Sequence, residues 1–146
     1  MNSDQGPIVF AYDGSDQAKA AIAFAGDELP KGRPAVVATV WGPLSAIPFG
    51  GVAVMSGADL DRAIEQEAQR TAEEGRALLE AAGFEASVRV ERGVPIWQRI
   101  VEMCDELDAA MVVLGSHGHS GLQAVLLGSV ATAVSQHTSL PVLIVH

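Results

Sequence analysis

The sequence predicts an α/β fold: an open, doubly wound, five-stranded parallel sheet with helices on both faces. Three observations predict it. Short apolar runs of strand length alternate along the chain with stretches of helical period, the pattern of βα units. Four of the runs are continuously aliphatic, as strands covered by helices on both faces must be. No composition shift or linker divides the 146 residues, so one domain spanning residues 1–146 is expected.

The first strand is Ile8–Tyr12, and the helix after it runs from about Asp16 to Leu29. Ser15 caps that helix, and Ala18, Ala21, Ile22, Ala25 and Leu29 form its inward stripe. Pro30 and Gly32 stop it. The second strand is Val36–Val40. A helix from about Asp59 to Ala82 turns Leu60, Ile64, Ala68, Ala72, Leu78 and Leu79 towards one face and ends at Gly83. Ala86–Val90 alternates apolar and polar residues, which suits a strand at a sheet edge. The third helix has Pro95 in its first turn and carries Ile96, Ile100, Met103, Cys104 and Leu107 inward, making Cys104 a core thiol. Strand Met111–Leu114, a helix from about Ser129 to His137 and strand Val142–Val145, entered through Pro141, complete the chain. The sixteen residues Gly42–Gly57 are long and apolar for a connection; they form a lid, a contact surface, or a loop folded back on its own core.

Composition removes several classes of function. A hydrophobic fraction of 49% against 18% charged residues excludes intrinsic disorder and leaves no need for disulfides or a structural metal. A net charge of −9 has the wrong sign for nucleic-acid backbones or anionic lipid, so no nucleic-acid surface is expected. One cysteine permits no internal disulfide, and the first residues lack a basic, then apolar, secretion signal. A cytoplasmic location is the expectation. No apolar stretch approaches the ~20 residues of a membrane span.

In open α/β sheets ligands collect beyond the carboxyl ends of the strands, where strand order reverses. Asp13-Gly14-Ser15 comes after the first strand, Val40 and Trp41 close the second, and a glycine-rich segment comes after the fourth. Gly115 and Gly118 have two residues between them, Ser116 and His117. Gly118 and Gly128 have nine, and Ser129 then opens a helix. Glycines let backbone approach a ligand, and a helix start offers unpaired N–H groups to an anion. The letters match neither the P-loop nor the dinucleotide glycine pattern, and there is no G-x-S-x-G elbow. His117 and His119 lack a third metal ligand nearby, so no metal residue is assigned. Asp13 either caps its turn or touches a ligand, Ser129 either caps its helix or touches phosphate, and Trp41 and Trp97 fill the core.

With Gly115, Gly118, Gly128 and Ser129 reading G-2x-G-9x-G-(S/T), and with Asp13 and Val40 at their strand ends, the whole chain resembles the ATP-binding branch of the universal stress protein family. The resemblance implies strand order 3-2-1-4-5, homodimers, and ATP lying across the strand ends. It places Asp13 and Val40 at the adenine and ribose, Gly115 and Gly118 along the ribose and phosphate turn, and Gly128 and Ser129 at the distal phosphates. The candidate binding residues are thus Asp13, Val40, Gly115, Ser116, His117, Gly118, Gly128 and Ser129, with no catalytic residue assigned. Relatives often carry Lys or Arg between the second and third motif glycines. Here Gln123 and Ala124 stand there and Arg99 is the last basic residue, so Mg²⁺ or a protonated His117 or His119 is the expected helper, or else AMP or ADP is preferred. The order also makes apolar Val142–Val145 an edge, expected to pair with a second copy across a two-fold axis. Three functions remain: an ATP-binding stress-response regulator acting on a partner protein, a slow ATPase or phosphotransferase using Asp13 or His117, and a dimerisation module with no nucleotide.

Overall fold

The computed structural model describes residues 6–42, 57–117 and 127–146. The interior of the Gly42–Gly57 connection and the motif glycine Gly118 lie outside them. The elements are β1 (Ile8–Ala11), α1 (Asp16–Glu28), β2 (Pro34–Trp41), α2 (Gly57–Ala81), β3 (Glu85–Arg92), α3 (Ile96–Glu106), β4 (Met111–Gly115), α4 (Ser129–His137) and β5 (Val142–Val145). All five strands are parallel in the order β3-β2-β1-β4-β5, as the resemblance implies. Among the described residues no helix is long and apolar enough to cross a membrane.

Alternation along β1 builds two cores, because successive strand side chains point to opposite faces. Ile8, Phe10 and Tyr12 face α1 and α2, where they meet Ala21, Ile22, Ala25, Ala72 and Leu79. Val9 faces α3 and α4 with Val36, Ala38, Ile100, Met103, Cys104, Val112 and Val134. Each fully buried aliphatic side chain contributes about 1.5–3 kcal/mol, so the central strands hold both layers. Cys104 is 1% exposed, and burial pushes its thiol up to about 12.

Strand and helix ends differ from the periodicity by a few residues, for backbone reasons. β2 and β3 each run eight residues, since their ladder continues from Pro34 opposite Glu85 to Trp41 opposite Arg92, past the apolar letters. Ser15 caps α1 as expected, its hydroxyl accepting the Ala18 N–H at 3.2 Å. Pro95 is the cap of α3 rather than part of its first turn. Leu78 and Ile96, both expected inward, are exposed at 37% and 38%. The buried stripe of α2 is Ala68, Ala72, Gly75 and Leu79, and Leu78 lies one position beside it.

The amino ends of the strands are closed by a cation. Lys31 Nζ donates to the carbonyl of Gly26 near the end of α1 and, at 2.7 Å, to that of Ala82 just after α2. Gly83, at φ 99°, makes the left-handed turn that ends α2, and its carbonyl accepts the Gly32 N–H at 2.7 Å.

Gly75 sets the approach of α2 to the sheet: a Cβ there would stand 2.8 Å from the Tyr12 ring and 3.1 Å from Val37 Cγ1. Alanine gains about 1 kcal/mol of helix propensity, but overpacking costs about 1–3 kcal/mol. Tyr12 is hydrogen-bonded to α2 and cannot swing aside. Gly75→Ala is therefore expected to lower the melting temperature by about 2–6 °C; a rise would show that α2 is free to back away.

Candidate functional site

At the carboxyl edge of the sheet the order reverses between β1 and β4, and a cavity of about 260 Å³ opens there. The first wall is the turn after β1. Gly14 takes φ 80°, and Asp13 Oδ1 accepts the Ser15 N–H at 2.9 Å, so Asp13 does cap its turn. It is nevertheless exposed and stands on the cavity wall. Tyr12 lies behind it. Its N–H donates to the Ala38 carbonyl at 3.0 Å, its own carbonyl accepts the Thr39 hydroxyl at 2.9 Å, and its phenol donates to the Glu74 carboxylate on α2. Burial, with the bond to Glu74 next in size, pushes the phenol well above its ordinary range.

The second wall joins β4 to α4 through backbone. Ser116 is 2% exposed; its N–H donates to the Val145 carbonyl at 2.8 Å and its carbonyl accepts the Gly128 N–H at 2.7 Å. A Cβ on Gly128 would stand 2.7 Å from that carbonyl oxygen, so only glycine permits the approach. Gly115 is pressed against α1 in the same way, its missing Cβ falling 2.8 Å from the Gln17 backbone. The Ser116 hydroxyl lies 3.1 Å from His117 Nδ1.

Gly128, not Ser129, caps α4, and no side chain bonds across the cap. The first helical bond comes from Thr132 N–H to the Gly128 carbonyl at 2.9 Å. The preceding N–H groups, of Ser129, Val130 and Ala131, belong to residues that line the cavity. This is a helix start open to an anion.

The third wall comes from β2 and α3 and is aliphatic: Ala38, Val40, Ile96 and Ile100. Of the candidate residues, Asp13, Val40, Gly115, Ser116, His117, Gly128 and Ser129 converge on one cavity; Gly118 lies outside the described residues. Ile96 and Ile100 join them without being sequence candidates, although a position just past a strand end, which singles out Asp13, points equally to the start of α3. Of the two tryptophans, Trp97 packs against the core under α3 and α4, and Trp41 joins neither core. Trp41 is half-buried with the Arg92 guanidinium 5.4 Å from its ring, and half-buried Trp97 stacks on His137 at 4.2 Å. Arg99 does not serve the cavity; it bonds Glu91, Glu102 and Glu106, each at 2.9 Å.

Residues 6–146 match the universal stress protein family. The chain is 34% identical over 146 residues to a universal stress protein of Mycolicibacterium smegmatis, covering 95% of this chain and 45% of that protein. It therefore spans less than half of that relative's length. A Bacillus subtilis universal stress protein is 31% identical over 152 residues, covering 94% of this chain and 97% of the relative. Among solved structures, a Methanocaldococcus jannaschii protein superimposes with a TM-score of 0.79 over 97% of this chain and 95% of its own at 24% identity, and shows the fold. A universal stress protein from Archaeoglobus fulgidus in complex with dAMP gives 0.68 over 97% and 98% at 26% identity. One in complex with cAMP gives 0.59 over 97% of both chains at 29% identity.

Tyr12 is the only tyrosine, so its ionisation can be monitored directly by phenolate absorbance. The folded phenol holds its proton above the ordinary ~10, and the stability linked to it is full below that pH and lost as pH rises past it. Native protein is expected to titrate well above the urea-unfolded chain. Glu74→Gln should bring the native value down while burial keeps it above that of the unfolded chain; an unchanged native value in Glu74→Gln would refute the Tyr12–Glu74 bond, and coincident native and unfolded curves would refute the burial of Tyr12.

Proposed function

The chain belongs to the universal stress protein family, and from that premise we propose that its cavity binds ATP with Mg²⁺ in a homodimeric, cytoplasmic stress-response regulator. The observation that carries this reading is the start of α4, capped by Gly128 with no side-chain bond across it, whose residues Ser129, Val130 and Ala131 line a cavity at the strand-order reversal. In this reading Asp13 and Val40 meet the ribose and base, Gly115, Ser116 and His117 the ribose and phosphate turn, and Gly128 and Ser129 the distal phosphates. Gly118 joins them by its motif position. The dAMP and cAMP held by two relatives above 25% identity support an adenine nucleotide as the ligand class.

A helix start stabilises an anion by about 0.3–1 kcal/mol, up to ~2 when partly buried, which is small for a triphosphate. The described lining holds no Lys or Arg, and among the described residues no three His, Cys, Asp or Glu side chains group to hold a metal. Mg²⁺ therefore fits as the nucleotide's own counter-ion, supplying positive charge to the phosphates, with Asp13 the carboxylate nearest to hand. The same shortage of positive charge favours a second reading, in which AMP is the ligand.

The dimer is assigned to β5. Val142–Val145 is wholly apolar, half-buried and at the edge of the sheet, and such an edge invites a second copy related by a two-fold axis. The bound state would then be read by a partner protein. Slow hydrolysis, with Asp13 or His117 as base, would appear as ADP and turnover.

Titration of the purified protein with ATP and AMP, with and without Mg²⁺, tests the site. ATP affinity is expected to rise with Mg²⁺. Ser129→Ala should weaken ATP about ten-fold, the loss of one hydroxyl bond to a charged group, with an unchanged melting temperature. Equal or tighter AMP binding selects the second reading, and absence of binding to either nucleotide removes both.

A further inference from the structure

We propose that Ile96 determines recognition of the ligand's flat base, as the fixed lip of an aliphatic slot whose other side is Val40; this rests on the nucleotide reading above. The apolar stripe of α3 consists of Ile100, Met103 and Cys104, all at most 3% exposed, and Ile96 lies one turn before Ile100 on the same stripe. Yet Ile96 is 38% exposed and lines the cavity. The stripe thus runs beyond the core and out onto the wall of the site. A large aliphatic group left in water at a cavity mouth gains by covering a planar apolar face.

The lip is built to stay in place. The Gly93 N–H donates to the Trp41 carbonyl at 2.9 Å, tying the turn before α3 to the end of β2. A Cβ on Gly93 would stand 2.5 Å from Arg99 Cβ and 3.1 Å from Val40 Cγ1, so the turn, α3 and Val40 are in close contact. Arg99, 18% exposed, joins Glu91 of β3 to Glu102 and Glu106 of α3 and fixes the first turns of that helix. The separation of Ile96 from Val40 is therefore set before any ligand arrives. The slot side chains named here carry no polar group, so they grip the faces of a ring and leave the phosphate end to α4.

The test uses the full chain, with AMP and the baseless ribose 5-phosphate as probes in calorimetric titration. Ile96→Ser is expected to weaken AMP about three- to ten-fold and to leave ribose 5-phosphate unchanged. Ile96→Leu should retain wild-type AMP affinity, and Val94→Ser, at a residue 67% exposed in the same turn and outside the cavity lining, should change neither. Thermal melts of all variants are expected to coincide. An unchanged AMP affinity in Ile96→Ser, or an equal loss for both probes, overturns the proposal while leaving the nucleotide site standing. Failure of the wild-type chain to bind AMP or ATP overturns the nucleotide reading and this proposal with it.

Discussion

Everything at the carboxyl edge stems from one constraint of winding. Strand β1 is central, the chain leaves it in one direction to lay down β2 and β3, and it must then cross back to lay down β4 and β5 on the other side. Right-handed crossovers put α1 and α2 on one face and α3 and α4 on the other. Where the two windings part, between β1 and β4, no crossover can cover the strand ends. The cavity is the space this leaves, and its walls are whatever the sequence places just after each strand.

What the sequence places there is mostly backbone. Gly128 lets the start of α4 sit directly on the Ser116 carbonyl, and Gly115 lets the end of β4 sit directly on α1. These approaches leave little room for adjustment, because the groups in contact are peptide units rather than flexible side chains. The polar wall is accordingly a set of N–H groups held by the fold itself, which matches a ligand whose recognisable feature is negative charge. The opposite wall is held by ion pairs around Arg99, a cluster outside the motif.

Four strands were legible because each is a short aliphatic run, and β3 with its edge position because Ser87 and Arg89 alternate with its apolar residues. Asp13 and Gly115 were legible because they stand at strand ends, and Gly128 because the motif spacing puts it before a helix start. Ile96 was not, since its letter continues the inward stripe of α3 and only the three-dimensional limit of the core decides that it is exposed. Leu78 misled for a related reason: two adjacent leucines cannot both face the sheet, and packing selects Leu79. Size alone points Trp41 and Trp97 inward, but only Trp97 packs against a core, and their partners, Arg92 and His137, stand on other elements. The Tyr12–Glu74 bond spans 62 positions, and local pattern says nothing of such a pair.

The contact of Lys31 with Gly26 and Ala82 ties together the trailing ends of α1 and α2 at the pole away from the cavity. A helix held at both ends behaves as a strut: neither end tilts without loading the other. The tip of α1 is the Ser15 cap beside Asp13. Gly115, pressed on Gln17, holds that tip as Lys31 holds the tail, so the Asp13 turn is delivered to the cavity edge at a fixed height.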